Sequence, residues 1–112
     1  MSEKVGLWFE NDVSSPYMSH IIKWKKNVIK QIPAVVHFDG SARLQTVTEK
    51  DNFWYYNFLR KWEKISSVPI LLNTSFNDSE PIVETPMHAI NCFLKTKINY
   101  LYFFDHNILI SK

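Results

Sequence analysis

The chain has 112 residues, of which 46% are hydrophobic and 21% charged, so it is long enough and apolar enough to form one folded domain with an ordinary core. Two glycines are too few for a Gly-rich phosphate loop, and one cysteine excludes a cysteine-rich zinc site. The net charge of +2 is too small to indicate nucleic-acid binding, and no stretch is apolar enough to cross a membrane, so we expect a cytosolic protein.

The first half of the chain predicts short strands joined by turns. Residues 1–16 have the turn signals of an irregular lead-in, residues 17–24 favour a strand, and the basic run 23–30 favours a surface loop or a helical turn. Residues 34–38 have strong β preference and are followed by Asp39-Gly40, a favoured two-residue hairpin turn. Residues 41–47 are therefore predicted to return as the partner strand of this hairpin.

The second half predicts two main helices. Apolar residues recur in 51–65 at about 3.6-residue spacing and predict a helix with one apolar stripe, whose members are Trp54, Phe58, Leu59, Trp62 and Ile65. Thr85 is a favoured N-cap and Pro86 suits the first helical position, so a second helix is predicted to about residue 96. It should bury Ala89, Ile90, Phe93 and Leu94.

Short strands are predicted at 68–72, where the strand should be buried, and at 100–104 and 107–110, and a polar loop at 73–81. Together these elements predict an α/β fold, with a small twisted mixed sheet and two main helices.

Polar residues alternate directly after the predicted strand 68–72. In an extended chain Asn73, Ser75 and Asn77 would share one face, while Phe76 would anchor the other. Three small hydrogen-bonding groups in this position suit a sugar, a phosphate or a carbamoyl amide. The alternative is a loop whose Asn and Ser side chains bond only to their own backbone.

The segment around Arg43 is a second candidate site. Arg43 and Gln45 would lie on one face of the returning strand, and the fork of donors on arginine suits phosphate oxygens. The alternative is an exposed arginine paired with a carboxylate, which contributes little to stability.

Other polar groups carry weaker signals. The four histidines lack metal-ligand spacing, so no metal site is expected, and Cys92 falls on the buried side of its helix as inert packing. The lysines of residues 23–30, with Trp24 among them, could contact nucleic acid, although such a run is more often a solvated surface.

Five segments, taken together, resemble a known family. They are S-P-Y-M at 15–18, P-A-V-V-H-F-D-G-S-A-R-L-Q-T-V at 33–47, D-N with Y-Y at 51–56, V-P-I-L-L-N-T-S-F-N at 68–77 and E-P-I-V-E-T-P at 80–86. In this order they resemble the C-terminal region of the ATP-dependent O-carbamoyltransferases, which include nodulation-factor, tobramycin, novobiocin and cephamycin carbamoyltransferases. The resemblance extends from about Trp8 to Ile110.

The resemblance implies a partial YrdC-like domain over residues 1–112, lacking its N-terminal portion. In this family that domain makes carbamoyl-adenylate from carbamoyl phosphate and ATP with Mg2+, and a metal-binding N-terminal half passes the carbamoyl group to a hydroxyl. Ser75 and Asn77 match the S-x-N element that holds nucleotide. Arg43 and Asn73 fall in matching motifs and would contact the nucleotide or the carbamoyl group.

His37 and Asp39 also match motif positions, as possible members of the site, and no catalytic residue is assigned. The sequence departs from the family pattern in its loop at 77–81, which is shorter than the frequent form, and at 102–105, where the family is more aliphatic. The family's phosphate-binding segment K-x-R-E-x-F-R-P-F-A-P has no match within these residues.

We therefore expect a chain that is inactive alone and works with a partner chain carrying the metal-binding half, with homo-oligomerisation also possible. The alternatives are a stand-alone nucleotide-binding or oligomerisation module and, with least support, a nucleic-acid-binding module.

Overall fold

The computed structural model describes all residues from Met1 to Lys112, which form two compact units, Met1–Leu72 and Asn73–Lys112. The first unit contains α1 (Val5–Trp8), β1 (His20–Lys23), β2 (Ser41–Leu44) and α2 (Phe53–Ser66). The second contains α3 (Pro86–Lys95), β3 (Tyr100–Phe103) and β4 (Ile108–Ser111). The α/β class and the two main helices, α2 and α3, are confirmed. None of the helices combines the length and apolar character needed to cross a membrane.

The strands form two separate antiparallel pairs, β1 with β2 and β3 with β4, in place of the single mixed sheet that the sequence predicts. In the first pair Ile22 lies opposite Ala42, and both side chains are buried. The neighbouring pair, Ile21 opposite Arg43, is exposed, because successive side chains of a strand point to opposite faces. The β1–β2 sheet therefore has one core face and one solvent face.

The predicted hairpin between residues 34–38 and 41–47 is wrong, because β2 pairs with β1. The residues before the Asp39-Gly40 turn form a 3-10 helix at Pro33–Val35 instead of a strand. Proline lacks an N–H for a ladder, and the Val35 carbonyl accepts a hydrogen bond of 3.3 Å from the Trp24 indole. The turn itself is present, since the amide of Gly40 donates to the His37 carbonyl at 2.9 Å and Gly40 has a positive φ of 77°.

The core of the first unit is built around two aromatic rings. Phe9 and Trp24 are 5% and 3% exposed, and their ring centroids stack 3.9 Å apart. The lead-in, predicted to be irregular over residues 1–16, is helical in its first half: α1 follows a 3-10 turn at Ser2–Lys4 and buries Val5, four residues before Phe9. A helix of one turn is too short to be recognised from periodicity.

Helix α2 begins and ends with recognisable caps. The Asn52 side chain accepts a hydrogen bond of 2.9 Å from the amide of Tyr55, and Ser67, which is left-handed with a φ of 61°, ends the helix. The buried strand predicted at 68–72 is absent. Val68 and Ile70 pack on the core of the first unit, and Pro69 between them cannot donate to a ladder.

Helix α3 confirms its predicted start, with the Thr85 hydroxyl accepting from the amide of His88 at 3.2 Å. It buries Ala89, Phe93 and Cys92, and Cys92 has no exposed surface, as predicted. Burial raises the pKa of the Cys92 thiol, which opposes formation of the reactive thiolate. The predicted burial of Leu94 is wrong: it lies on the outer side and is 65% exposed.

The second unit's sheet lies against α3. Leu101 of β3 joins Ala89 and Phe93 in a small core, and Ile110 of β4 packs on its edge. Asn107 adopts a left-handed φ of 51° between the two strands.

The pair Phe9 and Phe38 tests how strongly the first unit depends on its aromatic stack. We expect Phe9→Ala to lower the free energy of unfolding by about 3–5 kcal/mol, since it removes a buried ring and leaves a cavity beside Trp24. Phe38 is fully exposed, so Phe38→Ala should change stability by no more than about 0.5 kcal/mol. Urea unfolding followed by tryptophan fluorescence measures both, because every tryptophan lies in the first unit. Equal losses for the two variants would contradict the assignment of this core.

Candidate functional site

Ser75 and Asn77 lie side by side in the loop that opens the second unit. The Ser75 hydroxyl donates to Asn77 Oδ1 at 2.6 Å, and Asn77 Nδ2 donates to the Glu80 carbonyl at 2.9 Å. Phe76 between them packs on the core of this unit, and its carbonyl accepts from the amide of Val83 at 3.0 Å. The predicted alternation is thus present, with Phe76 turned inward and the two polar side chains in contact with each other.

Asn73, Thr74 and Ser75 are exposed, and Asn77 is half-buried. Asn77 donates one amide hydrogen bond to its own loop, which partly fulfils the alternative interpretation of a self-capping loop. The Ser75 oxygen keeps lone pairs that face solvent, so the loop offers fixed acceptors at its surface.

Arg43 lies at the exposed face of β2. Its guanidinium makes no ion pair or hydrogen bond within the chain, which contradicts the interpretation of a surface arginine paired with a carboxylate. Gln45 is also exposed, on the same alternation, and its Nε2 donates to the Pro16 carbonyl at 3.0 Å. Arg43 therefore presents all its donors to solvent from a paired strand.

His37 and Asp39 meet through Ser41. The Ser41 hydroxyl donates to Asp39 Oδ1 at 2.6 Å and lies 3.1 Å from His37 Nδ1, while the Ser41 amide donates to the same carboxylate oxygen at 3.0 Å. Lys23 Nζ donates to Asp39 Oδ2 at 2.9 Å and to the Asp39 carbonyl at 2.5 Å. The hydrogen bonds from Ser41 and Lys23 hold the pKa of the Asp39 carboxyl well below its usual range.

This network is a structural clamp on the turn, with the serine proton directed at the carboxylate and not at a histidine base. A nucleophilic serine needs the opposite arrangement, in which the hydroxyl donates to a histidine. The clamp fixes the turn that leads into β2 and hence the position from which Arg43 projects. Sequence reasoning missed Lys23 and Ser41, although Asp-Gly-Ser is a typical sequence for a carboxylate that accepts from the amide two residues on.

The segment S-P-Y-M supports the other end of β2. Ser15 is 1% exposed, and its hydroxyl donates to the Leu44 carbonyl at 2.8 Å. The Ser15 amide donates to Thr46 Oγ1 at 2.9 Å, and the Thr46 amide donates back to the Ser15 carbonyl at 2.9 Å. Because these bonds lie on either side of Gln45, they hold the chain directly after Arg43.

The basic run 23–30 does not form the surface that nucleic-acid stacking requires. Trp24 is buried, so its ring is unavailable to a base, and Lys23 is committed to Asp39. Lys25 Nζ donates to the Gly6 carbonyl at 2.5 Å. The chain contains no group of three or more His, Cys, Asp or Glu side chains placed to hold a metal ion.

Acid titration tests the clamp on the turn. A carboxyl with a lowered pKa stabilises the fold above its ordinary value of 3.8, and this contribution is lost as the pH falls towards the folded-state value. We therefore expect Asp39→Asn to be less stable than wild type at pH 7, and the difference to shrink as the pH falls from 5 to 3. Urea midpoints at several pH values measure it.

Asp12→Asn is the matched control, because Asp12 is an exposed carboxylate of the same unit with no hydrogen bond or ion pair. A pH-independent difference between wild type and Asp39→Asn would show that the carboxylate charge does not stabilise the turn.

Comparison with known proteins places the chain in one group. It matches the family described as Carbamoyltransferase C-terminus over residues 1–112. It is 42% identical over 99 residues to the uncharacterized protein MJ1051 of Methanocaldococcus jannaschii, and this match covers 88% of the chain and 19% of the relative. It is 41% identical over 87 residues to nodulation protein NolO of Bradyrhizobium diazoefficiens, covering 77% of the chain and 16% of NolO.

A third relative, the uncharacterized protein sll1178 of Synechocystis, is 38% identical over 122 residues, covering 90% of the chain and 20% of the relative. The chain thus spans a fifth or less of the length of each of these relatives. The family assignment confirms the resemblance seen in the five sequence segments. With a match along its whole length, the chain belongs to the carbamoyltransferase C-terminus family.

Proposed function

We propose that this chain is the C-terminal portion of an O-carbamoyltransferase and contributes to binding ATP and carbamoyl phosphate for the formation of carbamoyl-adenylate. The carbamoyl group then passes to a hydroxyl acceptor. The proposal includes a YrdC-like fold for the complete domain, a cytosolic location, and a need for the remaining part of the enzyme.

The observation that carries the proposal is the contact between Ser75 and Asn77. Within a family of carbamoyltransferases, these residues match a nucleotide-binding S-x-N pattern, and their side chains lie 2.6 Å apart on a loop anchored by Phe76. A loop anchored by a half-buried ring holds its polar atoms in place before a ligand arrives, which lowers the entropy cost of binding. Asn73, two residues earlier and exposed, would add a further amide to this set.

Arg43 has the chemistry for the phosphate groups. Its exposed, unpaired guanidinium sits on a strand held at one end by the clamp at Asp39 and at the other by Ser15. Two parallel N–H donors match two phosphate oxygens, and a hydrogen bond of this charged type contributes about 1.5–3 kcal/mol. His37 and Asp39 then act through the turn rather than on the ligand.

In the proposed reaction water first cleaves carbamoyl phosphate into carbamate and inorganic phosphate. A carbamate oxygen then attacks the α-phosphorus of ATP, a new P–O bond forms, and pyrophosphate leaves with the electron pair of the broken bond. This step depends on positioning and on neutralising negative charge more than on a protein nucleophile. Mg2+ would supply part of that neutralisation. Since this chain has no cluster of metal-binding side chains, the ion would be held mainly by the phosphates and by water.

The first prediction of the proposal concerns activity. We expect the purified chain alone to release no pyrophosphate from ATP and carbamoyl phosphate, because the lysine and arginines of the family's phosphate-binding segment have no match within it. Activity should appear when the remaining part of the enzyme is added. Rapid pyrophosphate release by the chain alone would contradict this expectation, and absence of activity in the complete mixture would instead favour a non-catalytic module.

The second prediction concerns the binding residues. We expect Arg43→Ala to weaken ATP-Mg2+ binding about 10- to 100-fold and Ser75→Ala about 3- to 10-fold, since a charged and a neutral hydrogen bond are lost. Titration calorimetry on the chain and on the complete mixture measures both. Arg60→Ala and Ser79→Ala are the matched controls: Arg60 is the only other arginine, and Ser79 is exposed in the same loop as Ser75. Unchanged affinity for both site variants, or equal losses in the controls, would reject the site.

A further inference from the structure

One face of α2 is apolar and exposed. Trp54, Phe58, Trp62 and Ile65 recur every three or four residues and form what we call the aromatic face. Their exposures are 40%, 41%, 36% and 82%, whereas Leu59, the fifth member of the predicted apolar stripe and about 100° round the helix from Phe58, is 5% exposed. The rings of Trp54 and Phe58 stack within 3° of parallel, 5.6 Å apart. The helix therefore docks on its own unit through Leu59 and leaves the stacked rings of Trp54 and Phe58 partly exposed.

The aromatic face leads into a groove of about 380 Å³ in the same unit. Trp62 lies at the junction of the two, and its indole nitrogen donates to the Ile70 carbonyl at 3.2 Å. The rest of the lining is mostly apolar and includes Ile32, Val35, Val68 and Leu72. A groove of this size accommodates one or two large apolar side chains from a partner.

The exposed area is larger than scattered surface residues explain. A large aromatic residue buries about 150–250 Å², so the aromatic face alone leaves on the order of 300–400 Å² of apolar surface in water. This matches the largest patch of a typical monomer, of about 300–600 Å², and such patches commonly mark interaction sites. With the groove, it provides the apolar centre that a protein interface of about 800 Å² per partner requires.

Charge at the edge of the face argues against a second copy of this chain as the occupant. Lys61 lies three residues after Phe58 and four before Ile65, and Lys64 lies next along the same edge. The only acidic residue of α2, Glu63, points elsewhere and pairs with Lys4 at 3.1 Å. A two-fold interface would bring the lysines of both copies to one apolar patch without carboxylates on the helix to pair them.

We propose that the aromatic face and its groove form the docking surface for the remaining part of the carbamoyltransferase, through a segment with apolar side chains flanked by carboxylates. The lengths of the relatives support this occupant, since at least four-fifths of each lies outside the region that matches this chain. The inference rests on the proposed function only for the identity of the partner.

The test uses the full chain and MJ1051 from which the region matching this chain has been deleted, produced together and separately, after circular dichroism and a cooperative urea transition have established that the truncated MJ1051 is folded. We expect a one-to-one complex in sedimentation experiments, and Phe58→Ser should weaken it at least 10-fold. Phe53→Ser is the matched control, because Phe53 is a 68%-exposed phenylalanine of the same helix that lies off the aromatic face. It should weaken binding less than 2-fold, and urea midpoints show that both variants fold.

Charge reversal tests the chemistry of the partner. Lys61→Glu should weaken the complex at least 5-fold at low salt, and Arg60→Glu, on another side of the helix, should weaken it less than 2-fold. Equal losses for Lys61→Glu and Arg60→Glu would overturn the inference of an acidic partner edge.

Three results would overturn the docking surface: no complex with the wild-type chain, equal affinity for Phe58→Ser and Phe53→Ser, or self-association of the chain that Phe58→Ser abolishes. The last of these would identify a second copy as the occupant. A Phe58-dependent complex without pyrophosphate release would refute the proposed function and leave the docking surface standing. Arg43-dependent ATP binding by the chain alone, without a complex, would support the proposed function and overturn the docking surface.

Discussion

Burial of the Trp24 side chain holds the first unit together. Its ring stacks on Phe9 near the start of the chain, and its indole nitrogen bonds to the carbonyl of Val35, so it joins three segments that are distant in sequence. Because Trp24 directly follows β1, its burial also determines which residues of that strand point inward. Ile22 then faces the core, Ile21 faces solvent, and the antiparallel register places Arg43 on the solvent side opposite Ile21. The solvent accessibility of Arg43, the residue proposed to bind phosphate, therefore follows from the burial of Trp24.

The sequence correctly predicted the elements that depend on residues close to one another along the chain. The N-cap at Thr85, the periodic apolar residues of α2 and the turn at Asp39-Gly40 each depend on neighbours within four residues. Strand pairing, in contrast, depends on residues that are distant in the sequence. The apolar run before Asp39 resembles a strand, but its valines are needed against the core and beside Trp24, and β1 supplies the partner of β2 from about twenty residues upstream. Sequence patterns contain no information on that competition.

The same difference between neighbouring and distant residues applies to the candidate site. Alternation along an extended loop was enough to place Ser75 and Asn77 together and Phe76 beneath them, since the contact involves residues two apart. The clamp at Asp39 could not be predicted from neighbouring residues, because Lys23 is sixteen residues away. It reaches the carboxylate only through the strand register that sets Lys23 opposite Ser41. Lys23, which belongs to the basic run of the sequence, forms an ion pair with Asp39 in the structure.

Periodicity in α2 identifies residues that require cover without identifying what covers them. The stripe predicted from spacing exists, yet only Leu59 is buried within the first unit, while three aromatic residues and Ile65 remain accessible. Each of these aromatic residues still exposes about two-fifths of its surface, so part of the stabilisation that burial could supply is not realised within the unit. Covering the face with another surface would remove the remaining apolar area from water. The face therefore has the energetics of an unfinished interface, in a chain that matches a fifth or less of its relatives.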